Sequence, residues 1–303
     1  SQRDANETAR AKADATLNSL GVNYRLTADN SAVLEDVREM KKVVLDQSVT
    51  LVTRVNTLNV LSSQYSISGR DPAVFVEIYK DAPFSTYLVQ GDPDLSARKL
   101  AEWSYELLPT SSAAINIARW YSEQVVFNPD QEESTSKEYA ARAAEYLKKA
   151  ETAAIEEEKR GGETYRDSSR YLLYRYWRTM ITARLAGQIG EPYRSEYRKT
   201  FDEFVIFAQN QRNVLAREQL LYARLFFAQI LVVANNNAGA VAQIDQLSRE
   251  MNAITNLETN VFVRFLKREF ATRPDGANWT LVKNMAELSP SFKMSVEKIF
   301  ATP

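Results

Sequence analysis

Apolar residues recur at helical intervals along nearly the whole chain. Tyr193, Tyr197, Phe201, Phe204, Val205 and Ala208 fall at i, i+4, i+8, i+11, i+12 and i+15, one stripe of a 3.6-residue period. Tyr174, Trp177, Ile181 and Leu185 step by three and four in the segment before. The stretch between them, "RLAGQIGEPY" (184–193), therefore joins two amphipathic helices. Gly187 or Gly190 can supply the left-handed residue that ends the first, and Pro192 suits the first turn of the second, where its missing N–H leaves no bond unmade. The pattern predicts an antiparallel helical hairpin.

The same grammar recurs along the chain. In "ANNNAGA" (234–240), asparagines tolerant of left-handed backbone separate the apolar run 220–234 from a stripe of Ala240, Ile244, Leu247, Met251 and Ile254. Pro109 stops a helix carrying Leu100, Trp103 and Leu107; Ser111 or Ser112 can cap the next, whose face holds Ile117, Tyr121 and Val125 and which ends at "FNPD" (127–130). Tyr139, Ala143, Tyr146, Leu147, Ala150 and Ala154 mark a long helix closed by "KRGG", after which Thr164 and Asp167 form a candidate capping box. Toward the carboxy end, Val261 to Phe270, Leu281 to Leu288 and Phe292 to Ile299 predict three more helices, with a turn at "RPDG" (273–276) and a start at Ser289-Pro290. No alternating run is long enough to predict a sheet.

The amino end differs. Residues 1–19 are Ala-rich and polar nearly all round, the pattern of a stalk following an anchor outside the chain. Residues 31–62 predict one longer helix with Val37, Val44, Leu51 and Leu58 at intervals of seven; Gln47 and Arg54 occupy companion positions a coiled coil would fill with apolar residues, so the helix is expected to pack on the body. Residues 63–96 hold three prolines and two glycines, with a short helix begun by Asp71-Pro72, and read as a linker or irregular cap ahead of a helical domain over 97–303.

Composition sharpens this picture. Nine glycines and nine prolines in 303 residues are about half the roughly 12% share usual in soluble proteins, so turns are few and elements long. The formal charge of −1 gives no overall field toward nucleic acid or anionic lipid, so no nucleic-acid partner is expected. Cysteine and histidine are both absent, which removes thiolate and imidazole chemistry and with it most metal and nucleophile–base arrangements. No cofactor, metal ligand or catalytic residue is expected. The most apolar stretch, Leu220 to Ala234, contains Arg224 and Gln229 and falls short of the roughly 20 residues that span a bilayer. It reads as a buried helix. An extracytoplasmic, membrane-tethered setting is favoured over a cytoplasmic one on the stalk-like start and the absence of cysteine.

Three stretches resemble the tetratricopeptide (TPR) family of helical-hairpin repeats. Ala143, Leu147 and Ala150 match the small-large-small spacing of that family's second helix; Phe227, Ala228 and Leu231 match its first, with Ala240 and Ile244 opening the next second helix; "LAGQIGEPY" resembles its intra-repeat turn. Leu247 stands where the family has a small residue, no proline closes either repeat, and the turns are not spaced at 34 residues. The resemblance, over about 95–255, implies an all-α fold of antiparallel helix pairs stacked as a TPR-like superhelix or irregular α-solenoid or bundle, and a protein or peptide as partner.

Within 165–184, five aromatics interleave with five arginines, a composition suited to carboxylate, glycan or single-strand contacts. Tyr174, Arg175 and Arg178 are the candidate contact residues. Set against this, helical spacing also makes the aromatic stripe core and the arginines its solvated flank. Residues 159–200 carry net +6 and 130–158 net −5, so the two hairpins can pair with each other or the basic one can face a partner. "EEEK" (156–159) reads as a solvated helix end. Ser96 to Lys99 and Ser134 to Lys137 match S-x-x-K without the companion K-T-G. Asn6 and Asn278 head glycosylation sequons. The leading expectation is a non-enzymatic protein-binding scaffold or adaptor. The alternative is an extracytoplasmic helical ligand- or glycan-binding protein, or a glycoside hydrolase using two facing carboxylates.

Overall fold

The computed structural model describes residues 31–67, 71–127, 131–210, 214–272 and 277–301. Of these, 84% are helical, in 13 α-helices with no strand among the described residues. In chain order they are α1 (Ser31–Leu45), α2 (Leu51–Ile67), α3 (Pro72–Tyr79), α4 (Pro93–Leu107), α5 (Ser111–Phe127), α6 (Glu133–Arg166), α7 (Ser169–Gln188), α8 (Tyr193–Asn210), α9 (Val214–Val233), α10 (Asn237–Asn252), α11 (Val261–Thr272), α12 (Ala277–Leu288) and α13 (Pro290–Ala301). The fold is all-α. The chain divides into two compact units, Ser1–Tyr121 with Ala141–Tyr174, and Ser122–Ala140 with Arg175–Pro303. The stalk expected over 1–19, Asn6, and the turn residues 128–130 and 273–276 lie outside the described residues.

In the first unit, Val33, Val37, Met40 and Val44 of α1 pack with Leu58 and Leu61 of α2, Val74 and Ile78 of α3, Phe84 and Leu100. The single helix expected over 31–62 is two. Side chains break it where no glycine or proline signals a turn: the Asp46 carboxylate accepts from the Ser48 amide at 2.8 Å and its hydroxyl at 2.6 Å. Thr50 Oγ1 then accepts from the Thr53 amide at 3.3 Å, capping α2. Arg54 Nε donates to the Val44 carbonyl at 2.8 Å and closes α1. Leu51, expected on the buried stripe, is exposed at the new helix start.

The described residues of the 63–96 stretch hold a short helix and the start of a longer one. Asp71 caps α3 and Asp92 caps α4, each followed by a proline at the first helical position. Ser96, the head of one S-x-x-K match, is fully buried; its hydroxyl accepts from the Val89 amide at 2.9 Å and donates to the Asp92 carbonyl at 2.9 Å. That hydroxyl holds backbone in place and faces no solvent.

Two caps differ from expectation. Thr110, one residue before the expected serines, accepts from the Ala113 amide and caps α5. Ser168 accepts from the Tyr171 amide and caps α7, displacing the box drawn on Thr164 and Asp167; Asp167 instead donates its amide to the Glu163 carbonyl. Between these, α6 is bent at Gly162 (φ 52, ψ −134), and one further turn continues to Arg166. A Cβ on Gly161 would lie 2.7 Å from Cβ of Tyr165, so that turn closes only on a glycine.

In the second unit the helices run back and forth. Thr179 on α7 donates to the Thr200 carbonyl of α8 at 3.4 Å, and Tyr197 on α8 to the Ala223 carbonyl of α9 at 3.4 Å. Gly190 (φ 86), not Gly187, supplies the left-handed residue between α7 and α8. Asn235 (φ 58) and the Asn236 cap turn α9 into α10. Ala240, Ile244, Leu247 and Met251 are buried as the periodicity predicts and pack against α9 and α11 to α13. No helix among the described residues is long and apolar enough to cross a membrane.

Candidate functional site

Arg98, Glu102 and Tyr105 stand at i, i+4 and i+7 on α4, one face of that helix. Trp120 and Tyr121 come from α5, and Tyr146 and Lys149 from one face of α6. Packing of these three helices in the first unit joins the residues into a ladder of touching rings with a cation at each end. The Arg98 guanidinium lies 4.7 Å from the Trp120 ring centre and 5.5 Å from that of Tyr121. Tyr121 stacks on Tyr146 at 6.2 Å, and Tyr105 meets Tyr146 edge-on at 5.8 Å. Lys149 Nζ sits 4.4 Å over the Tyr146 ring. Except for Tyr121, which is buried, every member is half-buried, with one side toward solvent.

The charges are partly balanced within the ladder. Arg98 Nε lies 3.2 Å from Glu102, and Nη1 donates to the Tyr121 hydroxyl at 3.5 Å. Lys149 donates to Glu145 at 2.8 Å, which holds its ammonium above the ordinary lysine range against the opposing effect of burial. Bonds from Lys149 and Arg142 hold the Glu145 carboxyl below its own. Burial raises the Tyr146 phenol, so the ring presents a neutral hydroxyl.

The residues singled out in the sequence are placed differently. Tyr174 is 5% exposed, its ring 6.2 Å from Tyr171 in the first unit. Tyr165, Tyr171 and Tyr176 are buried as well and Trp177 is half-buried, so four of the five aromatics are core. Arg175 and Arg178, in the second unit, converge on the Glu203 carboxylate at 3.6 and 3.1 Å, and Arg175 also lies over Phe207 at 5.6 Å. Arg184 pairs with Glu123 at 3.5 Å. These arginines bridge helices; they are half-buried and not a fully solvated flank.

"EEEK" also has a partner. Glu157 accepts from both the amide and hydroxyl of Ser111. The Ser111 hydroxyl is also 2.9 Å from that of Tyr165. Ser111 has no exposed surface, so this cluster closes a helix end out of reach of a substrate. In the second unit, Asp245, Ser248, Arg249, Asn252, Ser291 and Lys298 help line a shallow cleft of about 340 Å³ between α10 and α13. Its hydroxyls bond one another: Ser248 and Ser295 are 2.6 Å apart, and while one donates to the other, the second donates to the Ser291 carbonyl, which is 2.9 and 3.0 Å from the two. No group of three acidic residues among the described residues has the geometry to hold a metal ion.

Periodicity placed Tyr121 and Tyr146 on helix faces but could not bring them together, because the ladder depends on the register of three packed helices. The available signal was the i, i+4, i+7 row of Arg98, Glu102 and Tyr105. Compared with known protein families, curated proteins and solved structures, the chain shows no significant match to any of them.

Proposed function

We propose that this protein is a non-enzymatic helical scaffold, built of TPR-like helix pairs, that binds a segment of another protein, and that the ladder running from Arg98 to Lys149 is where it binds. The row of contiguous rings, mostly half-buried and closed by a cation at each end, carries this reading. Arginine, tryptophan and tyrosine dominate the energetics of protein interfaces; tyrosine and tryptophan offer large contact area with only two rotors each to freeze, and arginine a planar fork for bidentate bonds. Here Trp120, Tyr121 and Tyr146 are already fixed by neighbouring rings, so little side-chain entropy remains to be lost on binding. A protein partner also suits the charge: Glu102 and Glu145 lie among the cations, an arrangement that opposes a polyphosphate. Compared with the ladder, Tyr174, Arg175 and Arg178 offer less, being buried or engaged with Glu203.

Selection of displayed random peptides on the full chain tests this. The reading expects enriched peptides whose binding falls at least about tenfold in Tyr146→Ala, the loss of one interface anchor. Failure to enrich any peptide, or enrichment indifferent to Tyr146→Ala, contradicts it.

A further inference from the structure

We infer that the segment received by the ladder is acidic, one carboxylate seating on Arg98 and a second reaching Lys149; this rests on the scaffold reading above. The guanidinium of Arg98 is the reason. It lies against the rings of Trp120 and Tyr121, 4.7 and 5.5 Å from their centres, with its side chain 21% exposed and Nε beside Glu102, so its position is set before any partner arrives. Yet its donors are poorly met. Nε is buried and, although 3.2 Å from Glu102, lacks an aligned hydrogen bond; the bond from Nη1 to Tyr121 is long, at 3.5 Å. No other acceptor among the described residues meets the fork, which carries five N–H groups matched to a carboxylate's two oxygens.

Lys149 adds a second cation across the stacked pair of Tyr121 and Tyr146, and Glu145 satisfies one of its three donors. The steps Arg98–Tyr121, Tyr121–Tyr146 and Tyr146–Lys149 are 5.5, 6.2 and 4.4 Å, so an extended segment advancing about 3.3 Å per residue needs no more than about five residues to address both cations. The neighbouring Glu102 and Glu145 favour discrete carboxylates that fit between them over a continuous line of phosphates. The Trp120 and Tyr121 rings beside Arg98 lower the local dielectric and strengthen a bidentate bond there.

Fluorescence anisotropy of a labelled, selected peptide on the full chain, beside a copy with its Asp and Glu changed to Asn and Gln, tests the inference. The neutral copy binds at least about tenfold more weakly. Arg98→Gln loses a similar factor. Arg98→Lys, which keeps the charge but not the fork, still loses about threefold or more. Lys149→Gln loses about two- to fivefold. Circular dichroism and melting temperatures close to the wild type show that the variants are folded. If acidic and neutral peptides bind equally, and Arg98→Lys and Arg98→Gln bind like the wild type while Tyr146→Ala abolishes binding, the acidic inference is overturned and the scaffold reading stands. Displacement of the peptide by single-stranded oligothymidine at equal concentration overturns the acidic-peptide inference in favour of nucleic acid. If no peptide was selected at all, the scaffold reading itself is overturned.

Discussion

Glu157 accepts two hydrogen bonds from Ser111, which precedes it by 46 residues: 2.8 Å from the backbone amide and 2.7 Å from the hydroxyl. A carboxylate at the start of α5 satisfies an amide the helix cannot bond itself and complements the positive end of the helix dipole. Glu157→Ala is expected to destabilise the protein by about 1–2 kcal/mol in urea unfolding. A double-mutant cycle with Ser111→Ala is expected to give a coupling of about 0.5–3 kcal/mol. Strict additivity would remove Glu157 as the closing group of α5.

Glycine substitutions separate two uses of the residue. Gly162 adopts φ 52, where a side chain is strained, and Gly161 has Cβ of Tyr165 2.7 Å from where its own would stand. Alanine in a helix ordinarily gains about 1 kcal/mol over glycine. At Gly161 the sign reverses, and Gly161→Ala and Gly162→Ala each lower the melting temperature. Gly187 is helical and exposed, with Ile230 4.0 Å from its projected Cβ, so Gly187→Ala raises it, by about 0.5–1 kcal/mol of stability. Thermal melts of the three variants check the contrast.

Arg224, 6% exposed, bonds Glu250 at 2.9 Å and Gln243 at 3.0 Å across the α9–α10 hairpin. Removing one side of such a pair leaves the other poorly compensated. Arg224→Ala is expected to cost about 2–4 kcal/mol, and Arg224→Met with Glu250→Leu considerably less. Chemical denaturation of the single and double variants decides between them.

Burial opposes ionisation of Glu77, which is 7% exposed, but hydrogen bonds from Lys80 and Arg38 outweigh it and hold the carboxyl below the ordinary glutamate range. With the folded value below the unfolded one, the stabilisation is present in full above the unfolded value of about 4.3 and is lost as the pH falls through the folded value. Melting temperatures of wild type and Glu77→Gln should therefore differ at pH 7, and the gap should narrow as the pH falls below the unfolded value of about 4.3. A constant gap would show that ionisation of Glu77 contributes nothing to stability.

Most of the fold was legible because burial of one helical face leaves its mark on sequence spacing, as in the stripe from Ala240 to Met251. The break between α1 and α2 was not, since Asp46, Ser48 and Thr50 turn the chain with side-chain bonds in place of glycine or proline. Composition drew attention to the arginine-rich stretch 165–184. In three dimensions four of its five rings are core, and Arg175 and Arg178 cross-brace α7 and α8 through Glu203. The ladder uses residues that each look ordinary in their own helix, and only the register between helices makes them neighbours. Charge spacing showed that opposite signs could pair within the chain, but not that Glu157 would serve a helix end.

Hydroxyl-radical footprinting of the full chain with and without a selected peptide tests the central claim most directly, because tyrosine and tryptophan are read out by mass spectrometry at the side chain. The account predicts that Tyr105, Trp120 and Tyr146 become protected on binding while Tyr193 and Trp279, in the second unit, do not change. Protection confined to the second unit, with the three ladder residues labelled as in the free protein, would contradict it.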